Sequence, residues 1–252
     1  MGSAFLAIDC GNSRLKTTLF QDSVCVETTA FDSKDIEGVL LYMESRGVDS
    51  AAMVSVGHTD VRMVETVRQA VDDRFLLLTH NTPLPIVIGY DTPETLGLDR
   101  VAAAAGAYSL YSGRTCVVAD AGTALTVDLL DAEGTFWGGT ISPGISMQFR
   151  ALHEGTHSLP EVSLRDYPVD AGGKVPGNTR TAIAVGVVDG MVDRLYCARR
   201  PGTVMVVTGG DGDLLYRKLM EREHPDGMDI VYIPYLVALG LKYIFDEYEK
   251  GI

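Results

Sequence analysis

Asp9 and Asp120 each close an apolar run, and each is followed two residues later by a glycine: Asp9-Cys10-Gly11-Asn12-Ser13 and Asp120-Ala121-Gly122-Thr123. A carboxylate at a strand end can hold a hydrated cation. The N–H and O–H groups of the turn beside it can take phosphate oxygens, and glycine lets a ligand approach the backbone closely. Lys16, just beyond the first turn, could reach the same anion as a point charge or stand in solvent as an ordinary strand lysine. Asp99 is a third carboxylate of interest. It follows Gly97, precedes Arg100 and stands where the chain enters an alanine-rich helix. A carboxylate on a rigid element beside a cation suits a general base that takes a proton from an alcohol during phosphoryl transfer. The same position also suits a first-turn acid that complements the helix dipole. Thr208-Gly209-Gly210-Asp211 sits between a strand and a helix, where glycines allow a nucleotide to lie against the backbone at a helix N-terminus. Alternatively Asp211 only caps that helix.

His153-Glu154-Gly155-Thr156-His157 has the H-E-x-x-H spacing of a zinc protease. That chemistry needs both imidazoles on one face of a continuous helix. Gly155 and Thr156 are poor interior helix residues, Ser158-Leu159-Pro160 stops any helix, and no third ligand follows. The expectation is a polar loop without zinc.

The elements that must position these groups follow from hydrophobic periodicity. Ala4 to Phe20 and Cys116 to Leu130 both read as strand, tight turn, strand, with Leu125, Val127 and Leu129 alternating with Thr126 and Asp128. Asp9 and Asp120 are 111 residues apart, close to half of the 252. This spacing predicts a duplicated α/β fold of two halves, 1–113 and 114–252, each a mixed sheet flanked by helices and each lending one acidic turn to a cleft between them. Further strands are expected at Val24 to Thr28, Ala51 to Val56, Phe75 to Leu78, Gly134 to Ile141 and Val204 to Val207. A helix capped by Asp32 is expected to run through Ile36, Val39, Leu40 and Met43 to Gly47. Others are expected with Val61, Val64, Val67, Ala70 and Val71 on one face, over Val101 to Tyr111 and Ile145 to Leu152, from Asn178 or Thr179, after Asp211, and from Pro234 to Tyr248. The alanine-rich Val101–Tyr111 helix can pack closely and is expected between the halves.

Net charge is -13, and no Lys/Arg cluster is present to displace phosphate counterions. This argues against nucleic acid or an anionic membrane as a partner, but not against a single nucleotide, because turn N–H groups, a divalent ion and one or two basic residues suffice to hold it. The four cysteines are scattered, without a C-x-x-C pair, and no apolar run approaches the length of a membrane span. A cytoplasmic protein with reduced thiols is expected.

With these residues placed, the chain resembles the type III pantothenate kinases, members of the acetate and sugar kinase, Hsp70 and actin superfamily. Asp9-Cys10-Gly11-Asn12-Ser13 with Lys16 is similar to the family's first phosphate motif, with Ser13 where Thr is more usual. Tyr90-x-x-Pro93-x-x-Leu96-Gly97-x-Asp99-Arg100 is similar to its substrate and catalytic segment. Asp120-Ala121-Gly122-Thr123-Ala124, with Thr126 and Asp128, is similar to its second phosphate motif. Gly138-Gly139-x-Ile141-x-Pro143-Gly144 and Gly177-Asn178-Thr179 resemble further signatures. The resemblance implies two ribonuclease-H-like halves of the actin-like ATPase type. It implies ATP-dependent phosphorylation of pantothenate to 4'-phosphopantothenate, the first step of coenzyme A biosynthesis. Asp99 would be the base, and Tyr90, Gly97, Leu98 and Arg100 would line the substrate. Asp9, Gly11, Asn12, Ser13, Lys16, Gly122, Thr123, Gly209 and Gly210 would hold ATP. Thr179 would reach the pantothenate of a neighbouring subunit in a homodimer. A divalent ion such as Mg²⁺ would be held through water at Asp9, and a monovalent cation, K⁺ or NH4⁺, near Asp120. The readings set against this one are a superfamily kinase acting on another small substrate and a non-catalytic regulatory dimer of the same fold.

Overall fold

The structure, a computed structural model, describes residues 3–11, 14–55, 60–72, 74–168, 175–223 and 229–251. The chain forms two compact units. One comprises Met1–Gly113, Leu130–Trp137 and Tyr235–Ile252, and the other Arg114–Leu129 and Gly138–Pro234.

The first unit is built on β1 (Ala4–Cys10), β2 (Arg14–Gln21), β3 (Val24–Asp32), β4 (Ser50–Ser55) and β5 (Phe75–Leu77), in the order β3-β2-β1-β4-β5. β1, β2 and β3 pair antiparallel, whereas β4 lies parallel to β1 and β5 parallel to β4. β1 is buried from Ala4 to Ile8 without alternation, as expected of a central strand covered on both faces. Helices α1 (Ile36–Arg46) and α2 (Val61–Ala70) cover a core that includes Leu6, Ile8, Val39, Met43, Met53 and Val67.

The cap of α1 is Asp35, not Asp32. The Asp35 side chain accepts the Gly38 N–H at 2.9 Å, while Asp32 accepts from Lys34 at 3.0 Å and ends β3. Gly47 closes α1 in the left-handed region at φ 62°. On α2 the inward face is Met63, Val64 and Val67, and Val61 is 78% exposed.

The alanine-rich helix α3 spans Leu98–Tyr111, so it begins early enough to carry Asp99 and Arg100 in its first turn. Its close partner is the C-terminal helix α7 (Leu236–Lys250), in the same unit. The two backbones nearly touch. A Cβ on Gly240 would lie 1.7 Å from the Ala102 carbonyl oxygen, so only glycine fits there. This packing draws 235–252 back to the first unit, where a single cut after residue 113 would have left it with the second.

The second unit is built on β7 (Cys116–Ala121), β8 (Ala124–Leu130), β9 (Thr135–Pro143), β10 (Val204–Thr208) and β11 (Asp229–Tyr232), except that the last residue of β8 and residues 135–137 of β9 belong to the first unit. The hydrogen-bonded order of this sheet is β11-β10-β7-β8-β9, with β10 parallel to both β7 and β11. Both sheets therefore have the same plan: three strands consecutive in sequence, then two later ones added beyond the first. A short strand, β6 (Val87–Ile88), pairs with Thr135 and Phe136 at the start of β9. Helices α4 (Ile145–Glu154), α5 (Thr179–Ala198) and α6 (Gly212–Met220) enclose a core that includes Val117, Leu125, Val188, Leu195, Met205 and Leu215. No described helix is long and apolar enough to cross a membrane, and all four cysteines are unpaired.

Candidate functional site

The first acidic turn joins β1 to β2, and the Gly11 N–H closes it on the Arg14 carbonyl at 3.1 Å. Asn12 and Ser13 lie outside the described residues. Asp9 and Lys16 are direct cross-strand partners, so their side chains share one face of the sheet. Burial, and after it the charge of Asp99, push the Asp9 carboxyl up to about 6 from 3.8 against the opposing pull of Lys16. Asp9, Lys16 and Asp99, identified separately in the sequence, thus form one electrostatic group within the first unit. A carboxylate held against its own desolvation and against a like charge is one that a bound cation would stabilise. The neighbouring Cys10 thiol is pushed up to about 12 by burial and by Asp9, so it stays protonated and unreactive.

Asp99 lies in the first turn of α3, where its Oδ1 accepts the Arg100 N–H at 2.9 Å. Arg100 is buried. Its guanidinium carbon lies 5.6 Å from the centres of the Tyr90 and Phe136 rings, which are 6.3 Å apart. Cation–π contact with both rings fixes Arg100 beside Tyr90. Tyr90, Gly97, Leu98, Asp99 and Arg100, expected from the sequence to line a substrate, are thereby brought together in the first unit. Sequence reasoning missed two supports of this group. Phe136 comes from β9, and His80 donates its Nε2–H to the Leu96 carbonyl at 2.9 Å, holding the approach to Gly97. Neither residue has a local pattern that marks it.

The second acidic turn joins β7 to β8 through Gly122 and Thr123, with the Gly122 N–H on the Ala124 carbonyl at 3.0 Å. Parallel pairing of β10 with β7 sets Thr208 beside Asp120 and brings Gly209 and Gly210 against the same turn. Gly209 has φ +94°, and a Cβ there would sit 2.4 Å from the Asp120 Oδ1, so both the backbone and the space require glycine. Asp211 donates its N–H to the Ala121 carbonyl at 2.9 Å. Its side chain makes no capping hydrogen bond on α6, and burial raises its carboxyl. The turn opens on a cavity of about 320 Å3 lined by Gly122, Thr123, Ser146, Arg150, Gly210 and Asp211. Asp120, Gly122, Thr123, Gly209 and Gly210 are therefore gathered within the second unit.

Thr179 is the first residue of α5 and is exposed; the Asn178 Oδ1 caps the helix on the Thr181 N–H at 3.0 Å. The H-E-x-x-H segment is split: α4 ends at Glu154, Gly155 caps it, and the His153 Nδ1 bonds the Leu159 carbonyl. Among the described residues no three His, Cys, Asp or Glu side chains gather as a metal site. A divalent ion here would instead use one carboxylate together with water and substrate phosphates, the usual habit of Mg²⁺.

The family model of type III pantothenate kinases matches residues 5–198. A type III pantothenate kinase from Phocaeicola vulgatus is 34% identical over 257 residues, covering 97% of this chain and 99% of its own. Two solved structures carry the likeness of fold. The activator of the 2-hydroxyisocaproyl-CoA dehydratase from Clostridium difficile, with bound ADPNP, aligns with a TM-score of 0.56 at 14% identity, over 99% of this chain and 98% of its own. A ROK family glucokinase from Streptomyces griseus, in complex with glucose and AMPPNP, aligns with a TM-score of 0.53 at 12% identity, over 99% and 100%. The fold is that of the actin-like ATPases, two α/β units with mixed sheets flanked by helices. By the extent of the family match and of its full-length relative, this chain belongs to the type III pantothenate kinases.

Proposed function

We propose that this chain transfers the γ-phosphoryl group of ATP to the primary alcohol of pantothenate, giving 4'-phosphopantothenate at the entry to coenzyme A biosynthesis, with Asp99 as the general base. The observation that carries this reading, beside family membership, is the grouping of Asp99 with Asp9 and Lys16. An alcohol-deprotonating carboxylate stands within electrostatic reach of a phosphate turn. Phosphoryl transfer asks a protein chiefly for positioning and charge neutralisation, which these residues supply.

Arg100 and Tyr90, locked together with Phe136, hold pantothenate, and Gly97 and Leu98 shape the approach to Asp99. Asp99 accepts the alcohol proton as the oxygen attacks phosphorus. Lys16 and the backbone around Gly11 neutralise phosphate oxygens at the first turn. The N–H and O–H groups of Gly122 and Thr123 do so at the second turn, while Gly209 and Gly210 let the nucleotide lie against the backbone. The raised carboxyl of Asp9 suits a divalent ion held through water, which when bound supplies charge neutralisation for the phosphates. Asp120, whose Oδ1 overhangs Gly209 among turn carbonyls, suits a monovalent cation, K⁺ or NH4⁺, since hard cations take oxygen ligands. Thr179, exposed at the start of α5, would contact the pantothenate of the neighbouring subunit in a homodimer. The unpaired thiols fit a cytoplasmic setting.

Asp99→Asn tests the assignment. The variant should fold and bind ATP but turn over at least about a hundredfold more slowly. Near-normal turnover would remove Asp99 as the base. A panel with ATP, Mg²⁺ and K⁺ should show pantothenate phosphorylated and simple sugars and acetate untouched.

A further inference from the structure

Among the described residues lining the cavity beside the second acidic turn, Arg150 carries the only positive charge. Three features place it there. Gly144, just before α4, donates its N–H to the Thr123 carbonyl at 3.0 Å, and a Cβ on it would lie 2.3 Å from the Gly122 carbonyl oxygen; the start of α4 is clamped on the turn itself. Ser146 and Arg150, four residues apart on α4, share the helix face that lines the cavity. Among the described residues the Arg150 guanidinium has no hydrogen bond or ion pair, although carboxylates are abundant in a chain of net charge -13. Meanwhile β8, the strand that follows the second turn, contains no lysine or arginine, whereas β2 brings Lys16 to the first.

We infer that Arg150 is a nucleotide-binding residue, whose guanidinium takes the phosphate oxygens of ATP at the second turn and makes the site select a polyphosphate over a bare nucleoside. The inference rests on the kinase reading for the identity of the nucleotide. Its planar, permanently charged fork suits two-point contact with phosphate, and Ser146 adds a hydroxyl on the same helix face.

The test compares wild type, Arg150→Gln, Arg150→Lys and, as a control for simple loss of charge, Arg165→Gln. Arg165 lines an adjoining cavity with Arg150 but does not line the one at the turn. Binding of ATP, ADP and adenosine is measured by calorimetry, and KM by steady-state turnover. Arg150→Gln should bind ATP and ADP about tenfold or more weakly, with adenosine affinity and the KM for pantothenate changed by less than about twofold. Arg150→Lys should recover part of the loss, and Arg165→Gln should bind as wild type. The inference is overturned if folded Arg150→Gln binds ATP within about twofold of wild type, or if Arg165→Gln loses as much. If wild type binds ATP yet leaves pantothenate unphosphorylated while Arg150→Gln has lost ATP, the substrate reading fails and the role of Arg150 stands.

Discussion

Replacing Asp9 by asparagine should make the unliganded protein more stable and the enzyme inactive. In the folded chain burial and Asp99 hold the Asp9 carboxyl at about 6, against 3.8 when it is solvated. Because the folded-state value is the higher one, the folded protein binds the proton more tightly. The resulting stabilisation is complete below about 3.8 and is lost as pH rises through about 6. At about 1.4 kcal/mol per pH unit, the cost of the ionised Asp9 above pH 6 has a ceiling of about 3 kcal/mol. A neutral amide in its place would have no such cost, and the repulsion of Asp99 and the attraction of Lys16 are both already contained in that ceiling. The expected net gain at pH 7.5 is therefore about 1–3 kcal/mol. The assay is urea denaturation of both proteins from pH 4 to 8. The difference between them cancels every other titrating group. It should be smallest near pH 4, grow through pH 5 and 6, and level off above pH 7. Saturating ATP with a divalent ion should narrow it, because only the wild-type carboxylate gains a cation. A variant no more stable than wild type at pH 7.5, with a difference that does not change with pH, would refute the account of Asp9 as a carboxylate held under strain for cation binding.

Two further substitutions test the packing that positions the site. Gly240→Ala would place a methyl group 1.7 Å from the Ala102 carbonyl oxygen, so α7 must move off α3. It should cost at least about 2 kcal/mol in chemical denaturation, and a loss well below that would mean the helices have slack. Gly209→Ala would strain a residue at φ +94° and press on the Asp120 Oδ1. ATP binding should weaken about tenfold while the fold persists, and unchanged affinity would separate Gly209 from the nucleotide site.

What was legible in the sequence was local. The two Asp-x-Gly hairpins could be read because period-two alternation and a turn glycine lie within a dozen residues of each other, and the order of both sheets bears out the duplication inferred from them. Gly47 ends its helix as expected for the same reason. The Asp32 and Asp35 confusion arose because both are good caps. Only the extent of β3, set by its pairing with β2 as far as Asp32, decides between them. What stayed hidden depends on partners remote in the chain. A short strand such as β11 carries little pattern of its own and is defined by pairing with β10. The affiliation of α7 is written in Gly240, an unremarkable residue until Ala102 is placed against it. The seat of Arg100 needs Phe136, and the strength of the Thr208-Gly209-Gly210 signal appears only once β10 lies beside β7.

The two acidic turns look alike as strings, and the structure separates their surroundings. Asp9 faces a lysine across its own hairpin and a second carboxylate from α3, so its charge is contested and its proton affinity is raised. Asp120 instead meets glycine backbone from the β10 turn. Its hairpin brings no basic residue, and the cation nearest the cavity comes from α4, clamped there by Gly144. One plan thus yields two environments, because what decides them comes not from the duplicated hairpin but from the helices laid against it. A contested carboxylate favours a cation that comes and goes with substrate. A turn walled by glycine, with an arginine at its rim, favours an anion lying flat on the backbone. Under the kinase reading these are the two demands that a nucleoside triphosphate and its metal make on a protein.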